Sequence, residues 1–376
     1  MSKIKPTVLA YYFPNWHVDP RNEEWHGKGW TEWQCLKYAT PRFEGHKQPK
    51  IPLWGYEDES DPRVMEKKID AAVQHGVDGF IFDWYWFEDG GYRLKCLDEG
   101  FLGATNCEKA KFAIMWCNHD PIYVHPTGKT RPKNSLLCGD LTVEGFLRGA
   151  RHCIDNYFGK PNYLRDSEGK LYFGFYFSHR IIDNFGGVEG AKLVFDRFKE
   201  MVREAGHGEV DLNAILEMAP HMGEDPKKSE EMLKYIGFTS FSSHGLKVED
   251  DLPFPHRDYE NVIKHNLIMH EEHTKKATLL PYNLHMYTGY DASPRTVQSE
   301  IYGDYGFPFT RIVNNITPDL FEYLCRKTKS FYYEKASGEY ITIYSWNEWT
   351  EGGNLEPDEE FGYGYLEAIK KVFKDD

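Results

Sequence analysis

Two glutamates, Glu348 and Glu351, are the residues whose type and spacing point most directly to chemistry. They follow an apolar, β-branched segment at residues 341–344 that is typical of a short buried strand. Two carboxylates three residues apart can face one pocket if the chain turns beyond them, and Gly352 and Gly353 allow that turn. Two carboxyl groups beside one glycosidic bond suffice for its hydrolysis. The segment therefore predicts a hydrolytic pair.

The residues around this pair favour a functional loop. Trp346 and Trp349 carry flat apolar faces of the kind on which sugar rings stack, and Asn347 is a poor choice for an ordinary solvated loop. Function tends to lie in loops beyond strands. We therefore expect Trp346, Asn347 and Trp349 to contact substrate. The alternative is that the glutamates are exposed loop acids and the tryptophans belong to the core.

Strand-like segments that could position such a loop recur along the chain and mostly alternate with helical patterns. Strands are predicted at residues 7–13, 77–82, 111–116, 170–177, 212–216, 235–241, 278–282 and 341–344, and helices at 61–76, 142–157, 188–205, 226–235, 259–275 and 318–328. Eight strands in this order predict an α/β fold, a (β/α)8 TIM barrel, as a single domain over residues 1–376 with long loops. A doubly wound open sheet is the alternative, but no Gly-rich phosphate loop follows the first strand.

The carboxyl ends of the predicted strands carry polar and aromatic side chains, and that end of a barrel holds the active site. Besides the pair, we expect substrate contacts from Tyr11, Asp83, Trp84, Trp86, Asn118, His119, Glu217, His244, Tyr287 and Asp291. The long segment 15–56 predicts one wall of the cleft, since a loop of this size is usually functional. Its expected contacts are His17, Trp25, Trp30, Glu32 and Trp33. A structural flap packed by its own tryptophans is the alternative.

Three arrangements of these residues compete for the chemistry. The first takes Glu348 and Glu351 as the working pair, and the second pairs Glu217 with Glu348 from a different strand. The third gathers Asp83, His119, Glu217 and His244 around a metal ion. The metal arrangement has no supporting H-E-x-x-H or H-x-H spacing, and the second leaves Glu351 without a role. We therefore expect no metal and no cofactor.

Six short motifs give the chain a family resemblance. The stretch N-E-W-T-E-G at 347–352, followed by N-L-E-P-D at 354–358, resembles the signature of WbsX-like proteins and of glycoside hydrolase family 99, the endo-α-mannosidases and endo-α-mannanases. Near the start, A-Y-Y-F-P at 10–14, W-H-G-K-G-W-T-E-W at 25–33 and F-E-G-H at 43–46 agree with the WbsX-like proteins. The segment around Asp291 resembles the family W-D-N, with Tyr290 in place of Trp.

The resemblance implies retaining hydrolysis of an α-linked, 1,2-trans polysaccharide or oligosaccharide, such as an α-mannoside or α-rhamnoside. By analogy, Glu348 would deprotonate the 2-hydroxyl, giving a 1,2-anhydro sugar, and Glu351 would act as acid and then activate water; the acid role needs a raised pKa. His119 stands where the family has a glutamate, so the substrate remains open. The alternatives are a glycosyltransferase of surface-polysaccharide biosynthesis and a non-catalytic carbohydrate-binding protein.

Composition narrows the partners. The aromatic content of 16%, with ten Trp and 25 Tyr, exceeds what a core needs and favours a glycan-binding surface. A formal net charge of −14 without a basic cluster argues against nucleic acid. No apolar run suggests a membrane span or a signal sequence, which predicts a cytoplasmic protein, or a periplasmic or secreted one if a signal has been removed. Seven cysteines at irregular spacing predict free thiols. The oligomeric state is open.

Overall fold

The computed structural model describes residues 4–215, 226–245 and 253–375, and its centre is a ring of parallel strands. Eight strands form the ring: β1 Thr7–Tyr12, β2 Gly79–Phe87, β3 Lys111–Trp116, β4 Leu171–Phe175, β5 Val210–Ile215, β6 Ser240–Ser242, β7 Leu284–Tyr287 and β8 Tyr340–Tyr344. Their spatial order is β6-β5-β4-β3-β2-β1-β8-β7. A parallel bridge between Phe241 and Tyr282 brings the two edges together. The predicted (β/α)8 barrel is confirmed.

Helices surround the ring and connect most of its strands. Their bounds are Pro62–Gln74, Val143–Asn156, Ser178–Asn184, Val188–Glu204, Pro226–Ile236, Tyr259–Lys276, Pro318–Glu334 and Gly364–Ile369, the last continued by a π-helical turn at Lys370–Asp375. Side chains cap several of them at the N-terminus. Asp61 accepts a hydrogen bond from the Arg63 backbone and Thr142 one from Gly145, which fixes two helix starts close to those predicted. Within the described residues, no helix is both long and apolar enough to cross a membrane.

Two strand predictions were wrong in position. Residues 235 and 236 end a helix, so β6 begins only at Ser240. Residues 278–282 lie outside the ring strands, and β7 instead runs over Leu284–Tyr287, so Tyr287 ends the strand rather than following it. Short apolar runs next to helices do not distinguish the last helical turn from a strand, and this ambiguity displaced both predictions.

The second ring strand is longer than predicted, and its alternation decides which side chains reach the interior. β2 extends to Phe87. Ile81 and Tyr85 point into the ring with its inner core, whereas Phe82 and Trp84 belong to the layer between ring and helices. The run Asp83-Trp84-Tyr85-Trp86 is therefore not a loop at the mouth, because its side chains alternate between two compartments.

Smaller elements lie in the segments that connect the strands and helices. Short helices at Pro20–His26 and Trp33–Lys37 lie in the segment predicted as a long loop, and a π-helical turn spans Cys96–Phe101. Single helical turns occur at Cys107–Lys109, Ser293–Arg295 and Trp349–Glu351. Gly90–Tyr92 pairs antiparallel with the end of β2, His256–Asp258 pairs parallel with Ile312–Asn314, and Asn347–Glu348 pairs antiparallel with Gly353–Asn354.

Candidate active site

A cavity of about 950 Å³ lies at the carboxyl ends of the strands. Pockets of this size are at the upper end of the range for small-ligand sites. Seven of the residues predicted from the sequence to form the site line it: Trp25, Asp83, His119, His244, Tyr287, Glu348 and Glu351. Asp83 lies within β2 and Tyr287 ends β7. His119, His244 and the two glutamates follow β3, β6 and β8, and Trp25 lies in the segment after β1. The structure thus brings distant parts of the sequence to one mouth, as the barrel predicts.

The two glutamates are held on a tight turn beyond β8. Asn347–Glu348 pairs antiparallel with Gly353–Asn354, and Glu351 ends the helical turn between them. Gly352 closes the turn with φ of 71°, a backbone conformation that favours glycine. A Cβ there would also lie 2.8 Å from the Asp291 backbone nitrogen. The turn predicted from the two glycines is present. At Gly353 a Cβ would clash with Tyr344 Cε1, so neither glycine leaves room for a side chain.

A buried arginine, Arg295, joins the two glutamates. Its Nη2 donates to Glu348 Oε1 at 2.7 Å, and its Nη1 donates to Glu351 Oε1. The Tyr344 hydroxyl donates to the other oxygen of Glu351 at 2.7 Å. A guanidinium offers donors in a rigid planar fork, so one side chain fixes the relative position of both carboxylates. Arg295 was not predicted from the sequence, because it ends an irregular segment with no periodic pattern.

Glu32 completes the environment of this arginine from behind. It is fully buried and accepts from Arg295 Nε at 3.1 Å and Nη2 at 2.9 Å, and also from the Thr350 hydroxyl. Burial would raise the pKa of Glu32, but His125 and Arg295 together hold it well below its usual range. Glu32 was predicted to contact substrate. That prediction is corrected, since the carboxylate is enclosed and serves to hold Arg295.

Burial favours the protonated form of two carboxyl groups in the cavity, those of Glu348 and Asp83. The pKa of Glu348 is raised well above its usual range by burial and by the nearby Glu351, while Arg295 opposes the shift. Burial likewise raises the pKa of Asp83, with Arg93 opposing and Glu351 adding to the rise. One guanidinium faces three carboxylates in this cluster, so a full set of ionised glutamates would leave uncompensated negative charge. Such perturbed groups in a cleft mark a candidate catalytic centre.

Four of the predicted tryptophan contacts are corrected because the side chains point elsewhere. Trp84 and Trp86 lie stacked at 5.5 Å on the outer face of β2, where Trp86 meets the helix at Gly149. Trp33 packs 3.9 Å from the Trp16 ring, and Trp30 is only 5% exposed. Neither Trp30 nor Trp33 lines the cavity. Trp25 is the tryptophan that does, with its ring 5.5 Å from Tyr92.

Trp346, Asn347 and Trp349 brace the turn rather than contact the cavity. Both indole nitrogens donate to Glu356, from Trp346 at 2.9 Å and from Trp349 at 2.7 Å. Asn347 donates to the Phe13 carbonyl at 2.9 Å and accepts from the Phe13 backbone nitrogen at 2.8 Å. All three side chains are buried. The prediction that they contact substrate is therefore corrected to a structural role directly behind Glu348.

Four further predicted contacts lie beneath or beside the cavity. Tyr11 packs 4.6 Å from His244, and its hydroxyl donates to the Ser243 carbonyl. Asn118 pairs with both backbone groups of Phe177, each at 2.8 Å. His46 and Gln48 hold Asp291, and His17 is fully buried. None of these four side chains lines the cavity. Glu217 lies outside the described residues.

Two histidines of the cavity, His119 and His244, are neutral near pH 7. Burial lowers the pKa of His119 to about 4 and that of His244 to about 3. Both therefore act as hydrogen-bonding groups near neutral pH. The structure places His244 Nε2 3.9 Å from Asp83 Oδ1. No group of three or more metal-ligating side chains occurs within 4–215, 226–245 and 253–375. The proposed metal ligand Glu217 falls outside those ranges.

Comparisons with known proteins place the chain in a family. A family model described as glycosyltransferase WbsX matches residues 8–369. The uncharacterized protein WxcX of Xanthomonas campestris pv. campestris is 25% identical over 388 residues, which cover 98% of this chain and 50% of the relative. The chain thus spans about half the length of the curated relatives it matches.

Solved structures share the architecture. The GH99 endo-alpha-mannosidase from Bacteroides thetaiotaomicron matches with a TM-score of 0.56 and 15% identity, over 99% of this chain and 98% of that one. A glycoside hydrolase-like protein matches with a TM-score of 0.64 and 15% identity, over 100% of this chain and 95% of that one. At these identities the likeness concerns the fold. The chain belongs to the WbsX glycosyltransferase family and folds as a glycoside-hydrolase-like (β/α)8 barrel.

Proposed function

We propose that the protein is a retaining glycoside hydrolase that cleaves an α-linked glycan whose 2-hydroxyl is trans to the bond being broken. The observation that carries this proposal is the pair Glu348 and Glu351, which share one guanidinium at the end of β8 and both line the large cavity. The family match over residues 8–369 supports treating residues 1–376 as one catalytic domain. The partner is a glycan, and the reaction requires no cofactor.

In the first step Glu348 accepts the proton of the sugar 2-hydroxyl. The oxygen attacks C1 from the face opposite the glycosidic oxygen, forming a 1,2-anhydro sugar, and Glu351 protonates the departing oxygen. In the second step Glu351 takes a proton from water, which opens the three-membered ring at C1, and Glu348 returns its proton to O2. Two inversions at C1 give net retention. This route belongs to the substrate-assisted exceptions to the nucleophilic carboxylate.

The surroundings of the pair support these roles. A carboxylate whose pKa is raised by burial is a stronger base once it is ionised, which suits Glu348 to a weakly acidic hydroxyl. Glu351 is fixed at both oxygens, by Arg295 and by the Tyr344 hydroxyl. Positioning of this kind is worth several kcal/mol of a barrier when reacting groups are already aligned. The shared arginine also keeps the two glutamates in a fixed relation through both steps.

The family description favours a second candidate, a glycosyltransferase. A transferase that used the same centre would deliver the sugar to a hydroxyl of an acceptor glycan instead of water. A purely sugar-binding protein would use the same cavity without breaking a bond. The hydrolase is preferred because two acidic groups with one cation between them can supply both a general acid and a general base. Transfer from a nucleotide sugar needs a base for the acceptor hydroxyl but no acid for its diphosphate leaving group, and binding needs neither.

The test is a hydrolysis screen with purified protein. Substrates would be α-mannans, α-rhamnans and bacterial surface polysaccharides, and the readout would be new reducing ends. We expect the wild type to release reducing ends from at least one polymer. Glu348→Gln should release none, although its circular dichroism spectrum should match that of the wild type. Sugar transfer from a nucleotide donor without any release of reducing ends would establish the transferase. Binding without either reaction would leave a lectin-like protein.

A further inference from the structure

Five arginines line the cavity within the described part of the chain, and their partners differ: Arg93, Arg180, Arg257, Arg295 and Arg311. Arg295 faces three glutamates, Arg180 pairs with Asp120 and Asp140, and Arg311 lies 3.4 Å from Asp304. Arg93 lies over the rings of Phe13, Tyr85 and Tyr92, the nearest at 4.4 Å. Each of these four therefore has a carboxylate or aromatic partner.

Arg257 is the exception. Its side chain makes no hydrogen bond, ion pair or ring contact with any described residue, although it is partly buried and its Nε is enclosed without a partner. The residue is fixed on the short strand His256–Asp258, which pairs with Ile312–Asn314. An unpaired guanidinium in a partly desolvated place is costly unless something else supplies the counter-charge. In a protein of net charge −14, acidic partners are abundant, yet none of the described ones is placed here.

The position of Arg257 connects it to the proposed catalytic pair. Tyr287 lines the same cavity, and its ring stacks at 5.1 Å on Tyr344, whose hydroxyl holds Glu351. Burial raises the pKa of Tyr287 above its usual range; Arg257 opposes this rise and Glu351 adds to it. The same tyrosine thus lies within the electrostatic reach of both the arginine and the glutamate. A glycan bound at the pair would extend along this wall.

We propose that Arg257 binds the carboxylate of an acidic sugar residue, so that the preferred glycan contains a uronic acid adjacent to the bond that is cleaved. This inference rests on the proposed function for the placement of the bond, but not for the binding itself. A guanidinium pairs with a planar carboxylate through two parallel hydrogen bonds. One guanidinium without a counter-charge among the described residues matches one negative charge. A neutral sugar would supply none.

The experiment measures binding in the inert Glu348→Gln background, so that it does not depend on turnover. The probes are the methyl α-glycosiduronates of the manno, gluco and galacto series, each beside its neutral methyl α-glycoside, which differs only by a hydroxymethyl group. Methyl α-mannoside 6-phosphate serves as the phosphate arm. Calorimetry compares the affinities of four proteins that all carry Glu348→Gln. One keeps Arg257, and the others add Arg257→Lys, Arg257→Met or the control substitution Arg197→Met. Arg197 lies on the outer helix Val188–Glu204 and pairs with Glu200 there.

We expect at least one uronide to bind about tenfold more tightly than its neutral partner. This is the gain in affinity that one charge-assisted hydrogen-bonded pair supplies. Arg257→Met should abolish this preference, Arg257→Lys should retain part of it, and Arg197→Met should leave it unchanged. Equal affinity for every acid and its neutral partner, or a preference that survives Arg257→Met in folded protein, would overturn the proposal. A preference for the phosphate alone would overturn the assignment to a uronic acid. Acid-dependent binding without hydrolysis of any glycan would count against the proposed function only.

Discussion

Replacing Arg295 by Met should separate the electrostatic role of this arginine from its packing. The guanidinium donates to Glu32, Glu348 and Glu351, and its side chain is 7% exposed. Removal of one partner from a buried ion pair costs about 3–5 kcal/mol, because the remaining charge is left uncompensated. Met fills most of the volume, so the loss should be chiefly electrostatic. We expect about 3–5 kcal/mol less unfolding free energy at pH 8.

The loss should depend on pH in a defined direction. Without Arg295 the folded-state pKa of Glu348 rises further above its unfolded value, and the pKa of Glu32 loses one of the two groups that hold it low. The native state then binds more protons than the unfolded state, so its stability falls as pH increases through that interval. At pH 5 the carboxyl groups can take up protons and relieve the repulsion. The destabilisation should therefore be clearly smaller at pH 5 than at pH 8.

Urea unfolding at both pH values measures this, with Arg295→Lys as the matched variant. Lysine keeps the charge but cannot hold two carboxylates with one rigid fork. It should recover much of the stability and little of the activity, and kcat/KM should fall at least about 10²-fold in both variants if positioning matters. An equal destabilisation of Arg295→Met at pH 5 and pH 8, or a loss below about 1 kcal/mol, would refute the electrostatic reasoning.

Three further predictions concern the same region. Because burial raises the pKa of Glu348, ionisation of this carboxyl group opposes folding above about pH 4.5. Glu348→Gln should therefore be more stable than wild type by at least about 1 kcal/mol at pH 8, but not at pH 4. Identical dependence of the two melting temperatures on pH would contradict this. Trp25→Ala should raise KM severalfold, which corresponds to about 1 kcal/mol of lost binding free energy, with little change in kcat. Trp30→Ala should instead lower the stability of the fold, because this side chain is buried. The reverse pattern in kinetics and thermal melts would exclude Trp25 as a surface on which sugar stacks. Lys68→Met removes the cation that pairs at 2.5 Å with Glu356 behind the catalytic turn. We expect a loss of about 3–5 kcal/mol in unfolding free energy and a lower kcat with unchanged KM. A wild-type kcat would show that the turn does not need this ion pair.

The barrel and its catalytic turn could be predicted from the sequence because they rest on local signals. Buried strands, alternating helices and the paired glutamates on a Gly-Gly turn are each legible within about ten residues. The tryptophans were harder. Trp84 and Trp86 are of the residue type that a sugar-binding surface uses, but β2 continues through both of them. Side chains alternate along a strand, so both indole rings point away from the interior of the ring and towards the helices.

Arg295 illustrates what local patterns omit. Its role depends on three carboxylates separated from it by up to 263 residues in the chain, which only the closed ring brings together. The same holds for Glu32, which a sequence marks as a polar loop residue but which the fold encloses completely. A sequence indicates which residues are able to do chemistry. Whether a side chain faces the cavity or supports it from behind is decided by tertiary packing.

The most direct test of the account uses a 2-deoxy analogue of the best substrate found in the hydrolysis screen. If the 2-hydroxyl is the internal nucleophile and Glu348 its base, the analogue should bind with an affinity within about tenfold of the parent, since one neutral hydrogen bond is worth about 1 kcal/mol. Its hydrolysis should nevertheless fall by more than about 10⁴-fold, because the internal nucleophile is lost and Glu348 has no 2-hydroxyl proton to accept. Cleavage of the 2-deoxy analogue at a rate near that of the parent would contradict the proposed role of Glu348 and would assign the reaction to a different carboxyl group.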